Sequence, residues 1–297
     1  MALIFLLLGA ALLYFLIPKG TLVHEASRLP LFWLRAMSSS LPAARAEKIA
    51  YGSHPRQYYL ITRPLGPAPP EPTYLVYFHG GSWRWGRPGY FLRHAYQFNQ
   101  LGYTVVLPAY RTCPAYNFSA IHEDIQLMLQ AVWEKHPPGL PFRLFTGGMS
   151  AGGHLAAMIA VDPELSGIEG KAPGSLRGFF ALGAPLDLQE MPDSFAIRDL
   201  AGSRGGALFT AANPAAQLPM ANPVPALLIH GAQDGMVPVA AARSFAQSYR
   251  PAAGERLQWQ PVPGGTHLSI AAWPFRRGLP RQLLLTWLRQ QLPERVP

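Results

Sequence analysis

The chain has 297 residues, 49% of them hydrophobic, which suffices for one substantial packed core. Lys and Arg outnumber Asp and Glu by 25 to 16, a formal charge of +9, but the arginines are scattered singly and no recognition motif accompanies them. That pattern excludes a nucleic-acid-binding protein and favours an anionic membrane surface as the partner of the basic charge. The single cysteine, Cys113, excludes both an internal disulfide framework and a thiolate metal cluster.

Ala2 to Ile17 is an unbroken apolar run closed by Pro18 and Lys19. No Lys or Arg precedes it and no A-x-A site follows, so the expectation is an uncleaved membrane anchor over residues 1–20 rather than a signal peptide. Lys19, Arg28, Arg35, Arg45 and Lys48 all follow the run, a bias that predicts a cytoplasmic globular domain. Residues 21–47 mix Leu29, Leu31, Phe32, Trp33, Leu34 and Met37 with Arg28 and Arg35, a composition for an interfacial helix or for a cover over a site. The remainder, 48–297, reads as one domain.

Within it, strands are predicted at Tyr58–Thr62, Tyr74–Phe78, Tyr103–Leu107, Phe142–Phe145, Leu176–Leu182, Ala226–His230 and Arg256–Gln260, from apolar runs rich in β-branched and aromatic residues. Helices are predicted between them at 88–101, from a Ser119 cap to about Lys135, from Ala151 to about Ala160, at 239–249 and at Arg281–Leu292. This alternation argues for an α/β fold with a mostly parallel sheet covered by helices on both faces. The stretch between Leu182 and Ala226 is longer than a crossover needs, which predicts a small cap within 183–225.

Gly148-Met149-Ser150-Ala151-Gly152 has the form G-x-S-x-G, directly after a predicted strand and opening a predicted helix. A serine on such a tight turn is exposed above the sheet, where a base can activate it as a nucleophile. In that arrangement the acid and the histidine follow the serine along the chain. Only one histidine, His267, lies beyond residue 230, just past the last predicted strand. Asp234, in the loop after Ala226–His230, is the candidate acid, with Asp187 after the preceding strand as its competitor. His79-Gly80-Gly81-Ser82-Trp83 follows the strand Tyr74–Phe78, and backbone amides in its glycine turn can point inward at an oxyanion, joined by the amide of Ala151 after the serine. Trp83 and Trp85 are candidates to line a pocket.

These residues resemble the α/β-hydrolase superfamily, in the group of HGG-type esterases and lipases related to hormone-sensitive lipase, over roughly residues 48–292. The HGGSW form is similar to feruloyl-esterase-like hydrolases and kynurenine formamidase. Pro108-Ala109-Tyr110-Arg111, with Pro114, Phe118 and Asp124 downstream, resembles the segment after that group's fourth strand. The resemblance implies the α/β-hydrolase fold, with Ser150 as nucleophile and Asp234 and His267 as its partners. It further implies Gly81, Ser82 and Ala151 as oxyanion donors, with His79, Gly80, Gly148 and Gly152 as supporting motif residues. The expected activity is hydrolysis of carboxylic esters through an acyl-enzyme, without cofactor or metal, on a small-molecule ester or a membrane lipid. A formamide or amide substrate is the alternative enzyme reading, and a catalytically dead membrane-bound binding module the non-enzyme one.

Overall fold

A computed structural model describes residues 16–38, 46–65, 69–137, 140–166 and 175–293. The anchor expected over residues 1–20 lies largely outside them. Among the described residues no helix is long and apolar enough to cross a membrane.

Eight strands form: β1 (Glu47–Ala50), β2 (Tyr58–Thr62), β3 (Thr73–Phe78), β4 (Thr104–Pro108), β5 (Arg143–Met149), β6 (Leu176–Leu182), β7 (Ala226–Gly231) and β8 (Leu257–Val262). They make one sheet in the order β1-β2-β4-β3-β5-β6-β7-β8. The pairs β1–β2 and β2–β4 are antiparallel and all others parallel, because helical crossovers join β3 onward. The period of two is visible in β3. Leu75 and Tyr77 enter the core on one face, Val76 and Phe78 the core on the other, and all four are buried, as a central strand covered on both sides requires.

The helices are α1 (Leu22–Ser38), α2 (Leu92–Asn99), α3 (Phe118–Glu134), α4 (Ala151–Val161), α5 (Phe195–Ala201), α6 (Ala207–Ala212), α7 (Val239–Ala253), α8 (His267–Ala271) and α9 (Leu279–Gln290), with short single turns elsewhere. Every residue of α4 is buried, and the helix is apolar except for His154 and rich in Ala and Gly, which lets it lie tightly against the sheet. Asn117, not Ser119, caps α3: its side chain accepts from the Ser119 amide, so the hydroxyl expected to cap lies inside the first turn. The stretch 183–225 carries α5 and α6 and is tied to α4, where His154 Nε2 is 2.7 Å from the Ala212 carbonyl oxygen.

Candidate active site

Ser150 sits between the end of β5 and the start of α4 with φ 56° and ψ −125°, a left-handed conformation that costs a non-glycine residue energy and projects the side chain off the sheet. Its backbone is held from both sides. The Ser150 amide donates to the Leu182 carbonyl at 2.8 Å, and its own carbonyl accepts from His154 at 3.1 Å. Gly148 and Gly152 permit the turn: a side chain at residue 148 would meet the Gly152 backbone, and one at residue 152 the Phe78 carbonyl.

His267 is the first residue of α8, just past β8, and Asp234 follows β7. The His267 Nδ1–Asp234 Oδ2 distance is 2.7 Å, and the Asp234 side chain is fully buried. The other Asp234 oxygen accepts from the Met236 and Val237 amides at 2.9 and 2.8 Å, which fixes the carboxylate plane. With Nδ1–H donating to Asp234, the neutral imidazole presents Nε2 as a base. Burial by itself lowers the basicity of His267, but the charge and hydrogen bond of Asp234, with a contribution from Glu25, hold it above the ordinary histidine value. Burial pushes Asp234 up, and the opposing pull of His267 and then His230 keeps it below the ordinary carboxylate range. The competitor Asp187 is engaged elsewhere: it accepts from the Gln189 amide, from Asn213 Nδ2 and, at 2.6 Å, from Ser244 Oγ.

The turn after β3 has three consecutive left-handed residues, Gly81 (φ 121°), Ser82 (φ 53°) and Trp83 (φ 57°). At Gly81 the space for a Cβ is filled by the Trp85 carbonyl oxygen, 2.3 Å away, so no larger residue fits. The Gly81 carbonyl accepts from Arg84 and Trp85, while the Gly81 and Ser82 amides donate to no other group among the described residues. Ala151, as the first residue of α4, likewise brings a helix-terminal amide. Beneath this turn His79 is buried, stacked on Tyr110 at 4.7 Å between ring centroids, with Nδ1 donating to the Gly80 carbonyl. Burial lowers its pKa to about 4, so it is a neutral strut. Arg111 pairs with the buried Asp124 at 2.8 Å and fixes the loop after β4.

Ser150, Gly81, Ser82 and His267 line one cavity of about 80 Å³. Its other walls are apolar: Met149, Met236, Leu268, Ala271 and Phe91, with Leu29, Phe32 and Trp33 of α1. Residues 22–38 therefore cover the site. The two tryptophans divide. Trp85 lines the cavity and stands 68% exposed at its mouth. Trp83 is buried beneath the site, its Nε1–H donating to His154 Nδ1 at 3.3 Å, and is packing rather than pocket.

Glu25 escapes sequence reasoning. It is fully buried in α1, and its Oε1 and Oε2 accept from the His267 and Leu268 amides at 2.7 and 3.2 Å. The only hint in the sequence is an acid on the inward face of a helix otherwise lined by apolar residues there.

Residues 75–270 match the family described as the alpha/beta hydrolase fold. Esterase LipQ of Mycobacterium tuberculosis (strain ATCC 25618 / H37Rv) is 30% identical over 245 residues, 76% of this chain and 57% of that protein. Arylacetamide deacetylase of Bos taurus is 35% identical over 104 residues, 31% of this chain and 26% of that protein. The chain spans about half the length of LipQ and of the two Arabidopsis thaliana methylesterase relatives, one named as probable. Among solved structures, Thermogutta terrifontis esterase 2 phosphonylated by sarin superposes with a TM-score of 0.68 at 23% identity, covering 84% of this chain and 97% of that one. Esterase B of Lactobacillus rhamnosis gives 0.70 at 18%, covering 90% and 92%. The chain belongs to the alpha/beta hydrolase family.

Proposed function

We propose that the chain is a serine hydrolase of carboxylic esters in which Ser150, His267 and Asp234 act as a triad. The observation that carries this reading is the 2.7 Å His267–Asp234 pair opening onto the same cavity as the strained Ser150. His267 Nε2 takes the Ser150 hydroxyl proton as Oγ attacks the ester carbonyl, and Asp234 holds the imidazole and balances the imidazolium. Negative charge moving onto the carbonyl oxygen meets the amides of Gly81, Ser82 and Ala151, preorganised by the strained turn and the helix start. Collapse expels the alcohol with the proton from His267, and water attacks the acyl-enzyme by the same route in reverse. Turnover of p-nitrophenyl esters, with covalent labelling by a fluorophosphonate probe, tests the reading. Both are lost in Ser150→Ala, and a chain that folds but neither labels nor turns over is a binding module instead. N-formylkynurenine and an aryl acetamide in the same screen separate ester from amide preference, the latter prompted by the arylacetamide deacetylase similarity.

The favoured esters are lipid-soluble. The inner residues Leu29, Phe32 and Trp33 make the cavity wall apolar, while Val23 and Leu34 are more than half exposed on the opposite side of α1. An apolar outer stripe beside Arg28 and Arg35 suits an anionic bilayer surface, and it continues the apolar run of residues 2–17. This supports a membrane-held enzyme, and the basic residues Lys19, Arg28, Arg35, Arg45 and Lys48 that follow the apolar run favour a cytoplasmic hydrolase domain. Alkaline carbonate washing of membranes and protease added to sealed vesicles of known orientation test the attachment and the side.

A further inference from the structure

We propose that Glu25 is a positioning residue of the hydrolase, fixing the first turn of α8 and with it the His267 imidazole from a helix that precedes the family-matched region. The inference rests on the triad reading above. A helix start leaves its first amides without partners inside the helix. In α8 these are the amides of His267, Leu268 and Ser269, and all three are satisfied from outside the helical ladder. Thr266 Oγ1 accepts from Ser269 at 3.3 Å, and Glu25 takes the other two, one on each oxygen. A two-oxygen acceptor at full burial suits a carboxylate, whose oxygens accept and do not donate. His267 is thereby pinned at two points, its ring by Asp234 and its backbone by Glu25, across a sequence separation of 242 residues.

The contact also carries charge. The titratable groups facing His267 are Asp234 from the loop after β7, His230 at the end of β7 and Glu25 from α1. Glu25 adds to Asp234 in favouring the imidazolium, the form His267 passes through as it takes the Ser150 proton. Charge and acceptor geometry predict different losses, and two substitutions separate them.

Glu25→Gln keeps one acceptor oxygen and removes the charge. The acid limb of its kcat/KM profile, where activity rises as His267 deprotonates, moves to lower pH, and most of kcat at the plateau is retained. Glu25→Ala removes charge and both acceptors, and kcat falls by about tenfold or more with KM changed less than about twofold, because the loss is felt as charge develops. The rate of fluorophosphonate labelling of Ser150 falls in parallel. A cap that only stabilised α8 would lower the melting temperature and leave the acid limb in place. An unmoved limb in folded Glu25→Gln, or wild-type kcat in folded Glu25→Ala, overturns the proposal; should the alanine variant fail to fold, the glutamine limb decides. Ser150→Ala is assayed alongside. Turnover surviving in that variant breaks the triad reading itself, whereas its loss with an unmoved Glu25→Gln limb breaks only the role of Glu25.

Discussion

The carbonyl oxygen of Phe78 occupies the place of a side chain at Gly152: a Cβ there would stand 2.1 Å from it. Phe78 ends β3 and leads into the turn that presents the Gly81 and Ser82 amides. Gly152 opens α4 just after Ser150. The spacing between Ser150 and the Gly81 and Ser82 amides is therefore set by direct backbone contact between the end of β3 and the start of α4.

Gly152→Ala must push α4 away from β3. Overpacking of this kind costs about 1–3 kcal/mol, and the donors move relative to Ser150. The expected outcome is a lower melting temperature and a kcat loss larger than the KM change. A variant with wild-type turnover would show that the contact does not set the site.

The two candidate acids separate cleanly by substitution. Ser150→Ala and His267→Ala each lower kcat by about 10⁴ or more, Asp234→Asn severely, and combined losses do not multiply because the three act as a unit. Asp187→Asn keeps kcat within a small factor but weakens the bonds to Ser244 and Asn213, so its effect is read in thermal melting. The reverse pattern, with Asp187 essential and Asp234 dispensable, would reassign the acid.

Gly81→Ala puts a methyl against the Trp85 carbonyl in a backbone conformation that alanine resists. Loss of one oxyanion donor costs roughly 3 kcal/mol of transition-state stabilisation, about a hundredfold in kcat. Steady-state kinetics on one ester decides: a pure KM effect in a folded variant contradicts the donor role.

Acid should unfold this protein well above the carboxylate range. Burial lowers His79 to about 4, His94 to about 3 and His154 to about 4, and it lowers His230 as well. In the unfolded chain these groups bind protons near pH 6.5, so stability falls as pH drops from about 6.5 to 4, by about 1.4 kcal/mol per pH unit for each group fully engaged. His267 has the opposite sign. Its raised value contributes stability that is present below the unfolded pKa and lost as pH rises through the folded one, and four lowered histidines outweigh it. Thermal melts at pH 7 and pH 5 read the difference. His94→Phe, which replaces an imidazole whose Nδ1 has no hydrogen-bond partner by another ring, lessens the drop. Equal melting temperatures at the two pH values would refute the argument.

The strands of the sheet were legible because central parallel strands are buried on both faces and read as unbroken apolar runs. The β5 strand was the exception. Its sequence stops looking like a strand at Gly147-Gly148, yet pairing continues to Met149, and residue 147 is glycine because the Phe180 ring lies where its side chain would be. Ser150 and His267 were legible because a motif and a chain order constrain them. Asp234 and Asp187 could be told apart only by which one a histidine reaches. β1 was missed, being a four-residue, mostly exposed edge strand with no apolar run to announce it. Glu25 was beyond reach, since its partners are backbone amides at the far end of the chain and backbone amides leave no mark on residue type.

Leu29, Phe32 and Trp33 reach the cavity on a helix that precedes every strand of the sheet. This part of the cavity wall and the strands that carry Ser150 and Asp234 are thus written in separate stretches of the gene, with Glu25 linking the helix to His267. A substitution at Leu29, Phe32 or Trp33 alters the room in the cavity without touching strand register, the serine turn or the turn after β3. Exchanging that one helix between relatives while keeping Glu25 is a short route to variants that share the Ser150 site and differ in the shape of its wall.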